Sequence, residues 1–454
     1  MIIQKLLIQY FLEPLACFMD RFSQKARDAV FVLSGLMIFL VCFARETQAI
    51  NARYLVIYVI SCALFALMIL CSLKKGMKPV KFRGALAVCW FGVGMLMLLS
   101  GVLFNTDYIG EALLFLAAYP VAFIVWQNGD AGKILKNISR SIQLSFAACL
   151  VLCVLFYPVE DVRYQGLFNN LNGAAIYYAL PCACFLLECI KPQKFCWRYV
   201  GRLLALGVSV SLLVYTASRT GILSFAAAAV AVLGSYIIAN RKNLKVQFFR
   251  NVVMIALSSF LCFNITIYLL QLERVAAVAT YHIQNVIEPG SAEMPEGGLD
   301  LIAPGDMFNQ TVGRLDNEGL TVDQISTGRL QIWEQYLRQL NLFGHADSGT
   351  AHREELPDKP YHTAHMAVLQ ISYENGVVAG VLYLAFNLSA GVYSIWYALK
   401  KTDDIYAVFP LMITAVYAVS SVLASTNTSF LCMATFIYYL VQFPLLTSCF
   451  SEND

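Results

Sequence analysis

The apolar residues of this chain come in runs of roughly 16 to 22, repeated along almost its whole length. A helix needs about 20 such residues to cross a hydrocarbon core about 30 Å thick, so runs of this length in this number leave a soluble fold nowhere to put them. Composition agrees: 59% of the 454 residues are hydrophobic and 13% charged, against about half and a quarter in a soluble domain. The expectation is an all-α integral membrane protein of about twelve transmembrane helices. The spans fall near 29–44, 54–73, 85–104, 112–126, 141–157, 173–190, 203–217, 220–239, 252–271, 376–398, 405–424 and 429–449.

Residues 1–28 are apolar but broken by Lys5, Glu13, Pro14 and Asp20, with no small-residue cleavage site. They are expected as an amphipathic helix on the inner membrane surface. The domain plan is therefore this segment, nine spans over 29–271, a large loop over 272–365, three spans over 366–449 and a short tail, 450–454.

Positive charge sets the orientation. With the N-terminus inside, most of the 32 Lys and Arg fall in inner segments, including Lys74, Lys75, Lys78, Lys81 and Arg83 in one loop. The short outer loops hold only Arg45, Arg53, Arg163 and Arg219. Both termini are then expected in the cytoplasm and the large loop outside. The net charge of +3 reflects topology and implies no nucleic-acid partner. Cysteines avoid the large loop, so no disulfide framework is implied.

That loop carries far more acids than bases and all 5 histidines: His282, His345, His352, His362 and His365. Proton chemistry is available there. Residues 288–325, rich in Gly, Pro and acids, read as an irregular excursion. From Ser326 to Leu342 the pattern changes: Leu330, Trp333, Leu337 and Leu340 recur at helical spacing, and Ser326 or Thr327 can cap the start. An amphipathic helix near 327–341 is expected. The histidines, with Asp347, fit no tight metal-binding spacing, and no metal or other cofactor is expected.

Three positions share a setting. Arg219 (TASRTG) follows a tight turn before the eighth span, Arg329 (STGRLQIW) opens the loop helix, and His365 (YHTAHMAV) follows a potential Thr363 cap before the tenth span. Each is expected at a helix N-terminus, where free N–H groups and the dipole favour an anion. Arginines are locally unfavourable there unless an anion is bound, and two suggest a doubly charged group such as a pyrophosphate. A histidine there tends to be neutral and able to act as a base. Plainer readings stand beside these: Arg219 as a headgroup anchor, Arg329 paired with an acid such as Asp323, His365 as a hydrogen-bonded interfacial residue.

With these residues in view, the chain resembles the O-antigen ligase and polymerase superfamily of bacterial envelope glycosyltransferases. Asn172 in LFNNLNGAAIYYALP matches an asparagine that opens a span in that family. Ser218 and Arg219 match its Ser-Arg turn; Gly328, Arg329 and Trp333 match its loop helix; His365, Leu369, Gln370 and Gly376 match its histidine, ten residues and glycine. Met366 stands where members often carry Asn, and GHADSG (344–349) departs from the usual Gly-x-Gly.

The resemblance implies a GT-C-like bundle in the bacterial cytoplasmic membrane and an inverting, metal-independent transferase. Its donor would be a glycan on undecaprenyl pyrophosphate, presented at the outer face, and its acceptor a hydroxyl of a glycan or glycolipid. His365 is implied as base, Arg219 and Arg329 as pyrophosphate ligands, and Asn172, Ser218 and His362 as supporting residues. Ligase and polymerase remain open alternatives. A lipid-linked glycan transporter fits less well, because the spans hold almost no ionisable residues beyond Glu111 and Glu188 near their ends.

Overall fold

The computed structural model describes residues 2–46, 54–104, 106–191, 195–240, 246–287, 301–316, 328–346, 350–351, 361–402, 404–424 and 432–449. Asp323, Ser326, Thr327, Asp347 and His352, and most of the 288–325 stretch, lie outside them.

Helices dominate. Eleven among the described residues are long and apolar enough to cross a membrane. They are α1 (Ile2–Met19), α2 (Gln24–Arg45), α4 (Gly84–Leu103), α5 (Tyr108–Gln127), α6 (Ala131–Phe156), α7 (Leu171–Cys189), α8 (Trp197–Tyr215), α9 (Arg219–Ala239), α10 (Val246–Leu269), α15 (Val377–Lys400) and α16 (Ile405–Leu423). Two shorter apolar helices, α3 (Leu55–Cys71) and α17 (Met433–Leu446), complete the set. The chain is an all-α polytopic membrane protein. Every span read from the sequence has its helix, and α1 is one long apolar helix more.

Between α10 and α15 the described residues form four more helices: α11 (Leu272–Ile287), α12 (Pro304–Leu315), α13 (Arg329–Arg338) and α14 (Ala367–Asn375). α12 falls inside the stretch expected to be irregular. Its proline sits in the first turn, where no N–H is needed, and Asp306 accepts the Ala303 N–H at 3.1 Å to close that turn.

α7 is the centre of the bundle, packed by α6, α8, α9, α16 and α17. Its residues 174 to 187 are all buried. Many are Ala or Cys, and such small side chains let neighbouring helices approach closely. At the α9 crossing a Cβ on Gly221 would lie 2.4 Å from Ala175 Cβ, so only glycine permits it. The peripheral helices α9 and α10 instead expose large apolar side chains, among them Val230, Phe249, Phe260 and Leu261, as lipid-facing surfaces do.

At one end of the bundle β1 (Val80–Phe82) pairs antiparallel with β2 (Thr447–Cys449). There the buried Arg27 donates to the Cys71 and Leu73 carbonyls and pairs with Asp20. The opposite end holds the start of α7, the end of α2 and the α12–α14 layer.

Candidate functional site

At that opposite end a pocket of about 200 Å³ opens between helix ends. Its wall includes Cys42 and Arg45 from the end of α2, Asn170, Asn172 and Tyr177 from the start of α7, Met433 from α17, and His365.

The α7 side is set by two asparagines. Asn170 is the helix cap, its Oδ1 accepting the Asn172 N–H at 2.8 Å. Asn172 Oδ1 accepts from Ser218 Oγ at 2.8 Å, which fixes the amide and leaves its Nδ2 as the donating end at the pocket. Ser218 is in turn the cap of α9, and Arg219 is the first residue of that helix. Arg219 Nε donates to the backbone carbonyl of Arg314 in α12. Its immediate neighbour Ser218 thus touches the pocket wall while the guanidinium reaches the loop layer.

The His365 side is built by α13 and α14. Arg329 opens α13 behind Gly328, whose φ of +77° is the left-handed conformation glycine adopts freely. The cap is thus Gly328. Trp333 Nε1–H donates to the Ala364 carbonyl at 2.9 Å, directly before His365, and Tyr336 O–H donates to the Tyr361 carbonyl at 3.0 Å. From α14, Gln370 Oε1 accepts the Ala364 N–H at 2.7 Å while its Nε2 donates to Glu374. Tyr336, Ala364, Leu369 and Tyr373 form a small apolar core beneath this segment. Thr363 caps no helix: α14 begins at Ala367 after Met366, and Thr363 Oγ1 accepts the His365 N–H at 3.3 Å.

So clamped, His365 has φ +52°, and Ala217, just before Ser218, has φ +49°. Among the described residues these are the non-glycine positions with left-handed backbone, and both border the site. Such a conformation persists only where surrounding contacts over-determine it.

Electrostatics follow from placement. The His365 imidazole is held below its ordinary pKa, first by burial and then by the charge of Arg329. The guanidinium of Arg329 is itself lowered by burial. Burial pushes the Glu374 carboxyl up to about 7, opposed by the Gln370 bond and reinforced by Glu111.

Two glycines let α13 meet α14. Gly376 (φ +91°) would place a Cβ 2.1 Å from the Leu342 carbonyl, and Gly344 (φ +94°) one 2.1 Å from that of Glu374. Val377 N–H donates to Asn341 O at 2.9 Å across this joint.

The structure thus brings Asn172 and His365 to one pocket, with Ser218 bonded to Asn172 behind the wall and Arg329 within electrostatic reach of the histidine. Neither Arg219 nor His362 is among the pocket-lining residues: Arg219 follows Ser218 behind the wall and bonds the Arg314 carbonyl, and His362 is exposed. Arg45 and Asn170 were not singled out as site parts by sequence, and Trp333 and Gln370 entered there only as matches to the family's motifs, not as clamps. Arg45 read only as a charge in a short loop, and no local pattern predicts which carbonyl a tryptophan will bond.

Residues 204–384 match the family model described as O-antigen ligase. The match runs from α8 into α15 and takes in Ser218, Arg219, Arg329, His365 and Gly376. It supports the O-antigen ligase and polymerase superfamily as the family of this chain. Among curated proteins none matches.

Proposed function

With residues 204–384 standing as an O-antigen ligase domain, we propose that this chain is a bacterial membrane glycosyltransferase that moves a glycan from undecaprenyl pyrophosphate to an acceptor hydroxyl. The observation that carries the reading is the half-buried, left-handed His365, its pKa depressed beside Arg329, at a pocket of mixed polar and apolar lining among helix ends. A neutral imidazole there takes the proton of the acceptor hydroxyl. The oxygen attacks the anomeric carbon from the face opposite the leaving group, with inversion. The bond to the pyrophosphate breaks, and its electrons leave on the lipid-linked diphosphate. Arg329 and Arg219 bind that diphosphate and stabilise the charge it gains, with Arg45 on the pocket wall as a further cation. Asn172, fixed by Ser218, offers its amide to the sugar or phosphate. A pyrophosphate leaves readily, so the step needs no metal.

The domain plan read from sequence is part of this proposal: a surface-lying 1–28 segment, spans on either side of the 272–365 loop, both termini inside and the pocket at the outer face. The test is transfer from a defined lipid-linked donor by purified protein. His365→Ala is expected to lower turnover about a hundred- to ten-thousandfold and Arg329→Ala about a hundred- to a thousandfold. Transfer at the parent rate in both variants rejects the assignment. A product ladder marks a polymerase, and a single transferred block a ligase.

A further inference from the structure

The turn bearing Ser218 and Arg219 is clasped by two more arginine-bearing segments. From the α6–α7 loop, Tyr164 N–H donates to Tyr215 O at 2.9 Å and Arg163 Nη2 reaches Thr216 O at 3.5 Å. From α12, Thr311 Oγ1 donates to Val214 O at 2.9 Å, and the Arg314 carbonyl accepts from Arg219. Arg163 and Arg314 are thereby drawn together, and their charges oppose each other. The Arg163 guanidinium lies below its ordinary pKa first through burial and then through Arg314, with Asp161 acting the other way.

The Nε atoms of both arginines are shut off from solvent and have no hydrogen-bond partner among the described residues. A buried donor left unmade costs about 1–3 kcal/mol, more on a charged group, and the like charges add to that. A local cost of this kind, offset only in part among the described residues by Asp161 and the Thr216 carbonyl, points to a ligand site. Nε with an adjacent Nη is also the edge by which a guanidinium grips an oxyanion with two parallel bonds.

We propose that Arg163 and Arg314 form a second anion-binding site beside the Ser218–Arg219 turn, which takes a phosphate-class group on their Nε edges. The site goes beyond the transfer reaction and stands whether or not His365 is its base. Two sources present that chemistry: the headgroup of an anionic membrane lipid, and a phosphate borne by a soluble or glycan molecule.

The experiment is calorimetric titration of inorganic pyrophosphate into the full chain in phosphatidylcholine nanodiscs. Two classes of site are expected. Arg163→Gln with Arg314→Gln weakens one class at least about tenfold, or about 1.4 kcal/mol, and spares the other. Arg329→Gln does the converse. Arg314→Gln alone keeps the backbone carbonyl that Arg219 uses, so it weakens the same class in a chain whose turn is intact. Repeating the titration in discs containing phosphatidylglycerol separates the sources. A headgroup occupant masks the Arg163–Arg314 class in the parent chain, and a soluble or glycan-borne one leaves it open. The proposal falls if the double variant titrates like the parent, or if it and Arg329→Gln abolish the same class. No turnover is read, so a failure here is distinct from a failure of the transferase reading.

Discussion

The His365 imidazole must be neutral to accept a proton, and its surroundings favour that form. Burial and the Arg329 charge both penalise imidazolium, so its pKa is depressed and the base stays available to lower pH. The sign of a test follows. Arg329→Gln removes the cation, the imidazole pKa rises, and the acidic limb of the kcat/KM profile moves to higher pH. Its height falls as well, but the position of the limb is the readout. Glu374, pushed up to about 7 by burial, is a second group that titrates near neutral pH, so Glu374→Gln is the control that leaves the limb in place. A profile from about pH 5 to 8 covers the range. A limb that moves with Glu374→Gln and not with Arg329→Gln assigns the titration to the carboxyl and removes His365 from the role of base.

At the scale of elements, the question is how one short helix and one bent segment hold a histidine in place. Trp333 is the link, because its indole N–H bonds the carbonyl just before His365. Trp333→Phe keeps an aromatic ring in the small core and loses that bond. The expected result is about 1 kcal/mol of stability lost and roughly a tenfold fall in kcat with little change in KM. Tyr336→Phe, which removes a bond to the more distant Tyr361 carbonyl, is expected to affect kcat less; equal losses in the two variants mean that Trp333 only stabilises. Helix α13 was legible from Leu330, Trp333, Leu337 and Leu340, yet the periodicity did not say which face matters. Leu330 and Leu337 are exposed, whereas Trp333 and Tyr336 make the contacts that shape the site. Helix α12 was hidden by Pro304, Gly305 and Gly313, which look like loop residues until the proline is placed in a first turn and Thr311 and Arg314 are tied to the α8–α9 turn. The spans were legible because lipid imposes one rule on every residue of a run. Arg163, Arg314 and Arg45 were not, because their neighbours come from distant parts of the chain.

For the whole molecule the open matter is which end faces out. The end with the β1–β2 pair carries Lys74, Lys75, Lys78 and Lys81, and α1 is tied there at both of its own ends. Gln4 Oε1 accepts the Val80 N–H and Glu13 Oε1 the Gly76 N–H, each at 3.0 Å, while Asp20 pairs with Lys75 and Arg27. A helix crossing the bilayer has only one end at a given face, so these bonds support the proposal that α1, although long enough to span, lies along that face. Its exposed Ile3, Leu6, Phe11 and Phe18 then meet lipid at the interface. If positive charge marks the cytoplasmic side, His365 and its pocket face outward. Cysteine labelling of spheroplasts with a membrane-impermeant maleimide reads this directly. His362→Cys, exposed near the pocket, is expected to label at once, and Lys74→Cys only after permeabilisation. The native Cys17 and Cys196 are exposed on the lysine-rich side, and Cys42 and Cys432 line the pocket, so these four are first replaced by Ala to keep the background low. The opposite pattern, with Lys74→Cys labelled in sealed spheroplasts and His362→Cys protected, would put the pocket against the cytoplasm, where a donor displayed on the outer leaflet could not reach it.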